Sequence, residues 1–173
     1  MQSVFAAAVA PPLFAQRPMT PEKRTPTPPA NGDTSLLLPG RGELVLVVDD
    51  DAKLLQALAR MLKSLGFQVV TASDGEDALA VIESLRTPID AVLTDIVMPR
   101  LGGPELVERL AHRGLNPAVV YMSGYEDAAP LKRVLETPSM TPLLHKPFTL
   151  HALVVVLRNL LDRRDGSREG KMG

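Results

Sequence analysis

From Leu44 onward the chain alternates between two patterns of apolar and polar positions. Short runs of consecutive apolar, β-prone residues predict strands covered on both faces, whereas apolar residues spaced three and four apart predict amphipathic helices. The predicted strands are 44–48, 67–71, 89–94, 118–122 and 142–145. The predicted helices are about 54–65, 78–85, 104–113, 125–137 and 150–161.

Strict alternation of strands and helices predicts an α/β fold, a parallel sheet with helices on both faces. We assign this folded domain to residues 44–162. Residues 1–43 hold half of the 16 prolines and show no apolar period, so they are predicted to be a disordered tail. Residues 163–173 are charged and glycine-containing and are predicted to be a flexible end.

Composition narrows the classes of protein that this chain can be. Hydrophobic residues make up 45% and aromatic residues 3% of its 173 residues, so the core is aliphatic. The absence of cysteine excludes disulfides and thiolate metal sites, and it is compatible with a reducing compartment. A net charge of −1 without a basic block argues against a nucleic-acid partner. No segment is apolar for long enough to cross a membrane, so no membrane partner is expected.

Polar side chains that can bind ligands or take part in reactions follow four of the predicted strands. They are Asp49, Asp50, Asp95, Ser123 and Lys146. In a parallel sheet the carboxyl ends of the strands share one edge, which is where open α/β sheets bind ligands. The sequence therefore predicts that three acids, a hydroxyl and an ammonium converge there.

This combination of groups suits phosphoryl transfer. Three neighbouring carboxylates repel one another unless a cation is present, and Mg²⁺ prefers such oxygen ligands. The ammonium of Lys146 can pair with a phosphate-like oxygen. A carboxylate can itself be the nucleophile, and Asp95, at the end of the central strand, is best placed to form an aspartyl phosphate.

Each motif also has an ordinary structural interpretation. The three acids at 49–51 can be the start of a helix, and Asp51 is predicted to be its N-cap. Asp95 alone can be a solvated turn residue, and Ser123 with Gly124 can be a simple turn.

Four sequence blocks, in this order and at these separations, resemble the signature of the receiver domain of two-component response regulators. They are LVVDDD at 46–51, TDIVMP at 94–99, MSGY at 122–125 and KPF at 146–148. The sequences of these blocks are similar to those of receivers attached to hybrid sensor kinases. The resemblance covers about residues 43–162 and implies a flavodoxin-like (βα)5 fold with strand order 2-1-3-4-5 and a cytoplasmic location.

The resemblance also implies a role for each residue that matches the motifs. Asp95 is expected to be the phospho-acceptor, and Mg²⁺ is expected to bind Asp50, Asp95 and the backbone carbonyl of Val97 directly and Asp49 through water. Ser123 is expected to hydrogen-bond the phosphoryl group and Lys146 to pair with its oxygens. The residues to which the resemblance assigns these roles are Asp49, Asp50, Asp95, Val97, Ser123 and Lys146.

The resemblance implies a phospho-acceptor signalling module rather than an enzyme with a separate substrate. Its expected donor is a sensor histidine kinase or phosphotransfer protein. With no output domain expected after Leu161, the response is expected to pass to a protein partner through the 125–161 face. Leu143 departs from the family, which often has an aromatic residue there, and this puts the usual aromatic readout in doubt.

Two other functions remain open at this stage. One is an Mg²⁺-dependent phosphatase with an aspartate nucleophile, although such enzymes usually have a second Asp where this chain has Val97. The other is a receiver that binds partners without being phosphorylated.

Overall fold

Strands and helices alternate through the described part of the chain, which in this computed structural model comprises residues 40–124 and 141–169. The strands are β1 Leu44–Val48, β2 Gln68–Ala72, β3 Ala91–Asp95, β4 Ala118–Ser123 and β5 Leu143–His145. The helices are α1 Ala52–Ser64, α2 Gly75–Ser84, α3 Gly103–His112 and α4 Leu150–Glu169. The helix predicted at 125–137 lies outside the described residues.

The five strands form one parallel sheet in the order β2-β1-β3-β4-β5. This confirms the predicted α/β fold and its flavodoxin-like strand order. The order reverses between β1 and β3, where Val48 pairs with Thr94. Because such a reversal opens a crevice outside the carboxyl ends of the strands, it fixes where a ligand site is expected.

Helices cover both faces of the sheet, as predicted. Every residue of β1 and β3 is buried, which explains why their sequences are continuously apolar rather than alternating. One apolar cluster joins the sheet to α1 and α4, and it includes Val45, Val47, Leu58, Leu62, Leu93, Leu153 and Leu157. A second cluster joins the opposite face to α2 and α3, and it includes Leu46, Val48, Leu79, Val92, Leu106 and Leu110.

Local sequence signals set several helix ends. The side chain of Asp51 accepts hydrogen bonds from the backbone N–H groups of Lys53 and Leu54 at 2.8 and 3.2 Å, which confirms its role as the N-cap of α1. Gly66 and Gly114 follow α1 and α3 with φ of 91° and 73°, a left-handed conformation that ends helices and favours glycine. None of the described helices combines the length and apolarity needed to span a bilayer.

The folded part extends beyond the predicted boundaries at both ends. Gly40 and Gly42 donate backbone hydrogen bonds to Leu65 and Gly66 at 2.7 and 3.1 Å, so residues 40–43 lie against the domain. At the other end α4 continues to Glu169, where a flexible end was predicted from 163. Arg164 donates to the carbonyl of Asp90. Because this tertiary contact involves a charged side chain, the spacing of apolar residues does not predict it. The rest of the predicted tail, residues 1–39, lies outside the described residues.

A buried arginine connects the chain before β1 to α4. The side chain of Arg158 is 1% exposed, and its guanidinium donates to Glu43 and, at 3.1 Å, to Asp162. Arg41 also pairs with Asp162, at 3.3 Å. Since a buried guanidinium is destabilising without a partner, Glu43 is the residue that makes the burial of Arg158 tolerable.

We expect Glu43→Ala to lower the free energy of unfolding by about 2 kcal/mol, because it leaves part of a buried guanidinium unpaired. Asp162→Ala is the matched control: its carboxylate contacts the same guanidinium but is 45% exposed, so about 0.5 kcal/mol is expected. Urea unfolding followed by far-UV circular dichroism measures both. Equal losses in the two variants would contradict this account.

The Glu43 effect should depend on pH. Burial opposes ionisation of Glu43, but hydrogen bonds from the Arg41 backbone, from its own N–H and from Arg158 outweigh it, so its pKa lies below the ordinary value of 4.5. A carboxyl with a lowered folded-state pKa stabilises the fold above its unfolded value, and this contribution is lost as the pH falls through the folded value. The difference between wild type and Glu43→Ala should therefore shrink as the pH falls below 4.5.

Candidate functional site

The carboxyl ends of β1 and β3 bring two acidic residues side by side. Val48 pairs with Thr94 across these strands, so the next residues, Asp49 and Asp95, are neighbours at the edge where the strand order reverses. Asp49 is fully buried and Asp95 nearly so. The continuous apolar runs that make β1 and β3 central strands therefore also carry two carboxylates into a poorly solvated edge.

Asp50 joins this pair to form a cluster of three carboxylates. One oxygen from each of Asp49, Asp50 and Asp95 lies within 4.8 Å of the others. Asp50 is exposed, so the cluster opens to solvent on one side. Sequence reasoning thus identified three side chains that the fold does bring together.

Lys146 supplies the positive charge of the cluster. Its Nζ donates to Asp49 Oδ2 at 2.6 Å and to Asp95 Oδ2 at 2.5 Å, and its side chain is 23% exposed. The backbone N–H of Lys146 donates to the carbonyl of Ser123 at 2.8 Å, which continues the pairing of β4 with β5. The short outer strand β5 therefore positions this ammonium.

Backbone hydrogen bonds fix the carboxylate of Asp49. Its N–H donates to the carbonyl of Ala72 at 3.2 Å, and its Oδ1 accepts from the N–H of Asp51 at 2.9 Å. Its other oxygen receives Lys146, so both oxygens are engaged. Asp49 is held in the interior of the cluster, while Asp50 faces solvent.

Burial and charge shift the pKa values of Asp95 and Lys146 upward, and of these two shifts the one at Lys146 is what an ion pair alone would produce. Burial raises the pKa of Asp95 above its ordinary value, and the Asp49 charge adds to this rise, although Lys146 acts in the other direction. Burial alone would lower the pKa of Lys146, but its hydrogen bonds and attraction to Asp49 and Asp95 outweigh it and raise the pKa. The ammonium of Lys146 therefore does not fully offset the burial of the Asp95 carboxyl.

Ser123 and Val97 lie beside the cluster, and neither side chain takes part in the two ion pairs of the Lys146 ammonium. Ser123 ends β4 one position beyond Met122, the residue paired with Asp95, and its hydroxyl donates to the carbonyl of Gly124 at 2.9 Å. The N–H of Val97 donates to Asp95 Oδ1 at a long 3.4 Å. Ser123 is buried, whereas the side chain of Val97 is exposed.

The loop after Asp95 is attached to the loop before α2 by contacts that sequence analysis did not identify. The guanidinium of Arg100 donates to the buried carboxylate of Asp74, and Gly75 N–H donates to the carbonyl of Leu101 at 2.9 Å. The segment from Asp74 to Glu76 is typical of a helix N-terminus, so the sequence does indicate that Asp74 caps α2. Nothing in sequence spacing indicates the partner at Arg100.

The donor set of the cluster fits a hard divalent cation. Carboxylate oxygens are the ligands that Mg²⁺ prefers, and the exposed Asp50 leaves room for water ligands on the open side. Burial is the main cause of the raised pKa of Asp95, and a cation there would offset it together with the smaller repulsion from Asp49. The described residues therefore include an acidic cluster that could hold a metal ion.

Comparison with known proteins agrees with this geometry. Sensor kinase CckA of Brucella abortus is 33% identical over 128 residues, covering 74% of this chain and 13% of that protein. Sensor histidine kinase RcsC of Salmonella typhi is 40% identical over 120 residues, covering 69% and 12%. Response regulator MprA of Mycolicibacterium vanbaalenii is 35% identical over 128 residues, covering 72% and 54%. The chain thus spans only part of each of these relatives.

Solved structures of similar fold include receiver domains. One from Clostridium thermocellum superposes with a TM-score of 0.64 at 27% identity, covering 71% of this chain and 97% of that one. A receiver domain from Francisella gives 0.61 at 28% identity, covering 71% and 99%. This chain shares their flavodoxin-like sheet and has an acidic cluster where the strand order reverses. These features define the class of protein as that of the receiver domains.

The family follows from the sequence match. A protein-family model described as the response regulator receiver domain matches residues 45–158. The chain belongs to this family of two-component signalling modules, which supports the receiver interpretation over that of a phosphatase.

We expect Lys146→Met to lower the free energy of unfolding by about 3 kcal/mol in the presence of a chelator. The loss follows because two buried carboxylates then face each other with no ammonium between them. Lys63→Met is the control, since Lys63 is exposed in the last turn of α1 and should contribute under about 1 kcal/mol. Urea unfolding compares them, and similar losses would contradict the role given to Lys146.

Proposed function

We propose that this chain accepts a phosphoryl group on Asp95 from a phosphohistidine of a sensor kinase or phosphotransfer protein, with Mg²⁺ as cofactor. The observation that carries the proposal is the cluster of Asp49, Asp50 and Asp95 around the ammonium of Lys146. Its position at the strand-order reversal of a receiver fold supports the same reading, as do relatives named as sensor kinases and response regulators.

The proposed step is an in-line transfer between a nitrogen and an oxygen. A carboxylate oxygen of Asp95 attacks phosphorus, an O–P bond forms, and the P–N bond of the phosphohistidine breaks with its electron pair leaving on the imidazole nitrogen. Transfer of this kind depends mainly on positioning and on neutralising the charge of the phosphoryl oxygens. Asp95 is held for attack by β3 and by Lys146.

Each neighbouring residue has a proposed task. Lys146 exchanges part of its contact with Asp95 for a phosphoryl oxygen, and Ser123 turns its hydroxyl from the Gly124 carbonyl toward another. Asp50, Asp95 and the carbonyl of Val97 would hold Mg²⁺ directly, and Asp49 would hold it through water. The bound ion supplies charge neutralisation at the phosphoryl oxygens.

We also propose that a protein partner in the cytoplasm reads the phosphorylated state at the 125–161 face. Its described part is β5 and the first turns of α4, because residues 125–140 lie outside the described residues. Leu143 packs against Ile96 and Tyr121 and has no ring that could move between two positions. The preference of a partner for the phosphorylated form should therefore be modest, about 1 kcal/mol.

Asp95→Asn should abolish phosphorylation, because the amide is not a nucleophile for phosphorus. The measurement is intact mass after incubation with acetyl phosphate and Mg²⁺, and then with a phosphorylated histidine kinase. Asp51→Asn is the matched control, because it makes the same change at the residue that follows Asp50, outside the three clustered carboxylates, and Asn caps a helix as well as Asp. Full labelling of Asp95→Asn would refute the proposal.

The same assay tests the alternatives. Acetyl phosphate consumed with turnover but without stable labelling would favour a phosphatase, and no reaction of wild type would favour a binding-only receiver. Omission of Mg²⁺ should prevent labelling of wild type.

Beryllofluoride, a mimic of the phosphoryl group, should slow amide exchange in peptides spanning 141–161. The expected route runs from Ser123, through the backbone bond that its carbonyl accepts from Lys146, into β5 and α4. Asp95→Asn treated in the same way is the control, because it lacks the carboxylate to which the mimic would attach. Changes confined to residues 95–101, with 141–161 unchanged, would contradict the proposed partner face.

A further inference from the structure

We infer that Asp74 and Arg100 are positioning residues for the metal site, because they fix the loop that presents the carbonyl of Val97. This inference rests on the proposed function, in which that carbonyl is a ligand of Mg²⁺. Among the described residues, neither Asp74 nor Arg100 is hydrogen-bonded to the carboxylate cluster, so their effect would act through the backbone of residues 96–102.

The base of this loop is closed by backbone hydrogen bonds. Ile96 N–H donates to the carbonyl of Met122 at 3.0 Å, and Gly103 N–H donates to the carbonyl of Ile96 at 3.1 Å. A Cβ on Gly103 would lie 2.2 Å from the carbonyl oxygen of Asp95, so the two ends of the loop approach as closely as backbone permits. The loop thus begins and ends at one fixed point.

A second fixed point lies within the loop, at Arg100 and Leu101. Arg100 donates through Nε, at 2.6 Å, and through Nη2 to the same oxygen of Asp74. Gly75 N–H donates to the carbonyl of Leu101 at 2.9 Å, and a Cβ on Gly75 would meet that carbonyl at 2.7 Å. Side chain and backbone therefore join the loop to the start of α2.

The carboxylate of Asp74 is itself rigidly held. Its Oδ1 accepts from the N–H groups of Glu76 and Asp77 at 2.9 and 3.0 Å, which caps α2, and Oδ2 is left for Arg100. Burial opposes its ionisation, but these hydrogen bonds and the Arg100 charge lower its pKa. An ionised, immobile carboxylate is a firm anchor for a guanidinium.

Arg100 needs such an anchor because of its backbone. Its φ is 61°, in the left-handed region that residues with a Cβ occupy at a cost of about 1 kcal/mol or more. The ion pair with Asp74 offsets that cost. Without it, the loop would gain other backbone conformations.

Val97 lies between the two fixed points, and the next residue, Met98, is buried in the apolar cluster that joins the sheet to α2 and α3. The side chain of Val97 is 47% exposed, and within residues 40–124 and 141–169 the one hydrogen bond of its N–H is the 3.4 Å contact with Asp95. The position of its carbonyl therefore depends on Ile96 before it and on Met98 and Arg100 after it. A ligand that is already in place binds a metal more tightly than one that must first be ordered.

The test measures Mg²⁺ affinity by isothermal titration calorimetry at constant ionic strength. Arg100→Asn removes the guanidinium while Asn tolerates the left-handed backbone, and Asp74→Asn removes the charge while keeping the helix cap. Each should raise the Mg²⁺ Kd about 10-fold. The double variant should be close to either single variant, because both remove one interaction.

Arg109→Gln is the matched control, because Arg109 also joins α3 to α2, through Glu76 at 2.8 Å, but does not hold the loop. Its Kd should be unchanged. Amide exchange in metal-free protein gives an independent readout: residues 96–101 should exchange faster in Arg100→Asn and Asp74→Asn but not in Arg109→Gln. Arg100→Gly, which also accepts this backbone, is the second variant should Arg100→Asn not fold.

The outcomes separate this inference from the proposed function. Failure of wild type to bind Mg²⁺, or undiminished binding by Asp50→Asn, would overturn the proposed metal site and with it the inference. Normal binding by wild type, with an unchanged Kd in Arg100→Asn and Asp74→Asn despite lowered stability, would overturn the inference alone, since the pair would then be purely structural.

Discussion

The contact on which the site depends is the one that Lys146 makes with two carboxylates at once. Asp49 and Asp95 emerge from adjacent buried strands, where the repulsion between their charges is weakly screened by water. The ammonium arrives from β5, at the far side of β4. Its position depends on the pairing of β4 with β5, which for this reason has to be in register even though β5 is only three residues long.

The same sheet explains why the acids cannot escape each other. β1 and β3 are covered by helices on both faces and paired on both edges, so their carboxyl ends have no freedom to separate. An aliphatic core of well-packed strands thereby holds charges that solvation would disperse. Local conflict of this kind, within an otherwise consistent sequence, is typical of functional sites.

Much of this was predictable from sequence because it depends on position along elements. Continuous apolar runs identified β1 and β3, and the residues after them identified the acids, since parallel strands end at one edge. The contacts that were missed join side chains on different elements: Arg158 with Glu43, and Arg100 with Asp74. Apolar periodicity gives no orientation for such charged side chains. It also gave too short an α4, because the last turns are charged and are held partly by tertiary contacts such as Arg164 with Asp90.

The ion pairs of Arg158 and Arg100 differ in what they can do. Arg158 is buried on the α4 side and holds the chain before β1 against the last helix, so its effect is on folding. Arg100 is largely exposed and pairs with a buried carboxylate that already caps a helix, so the fold would lose little beyond a single ion pair if Arg100 were replaced. A contact that adds little stability yet fixes a left-handed residue three positions after Val97 is better explained by what it positions than by what it stabilises.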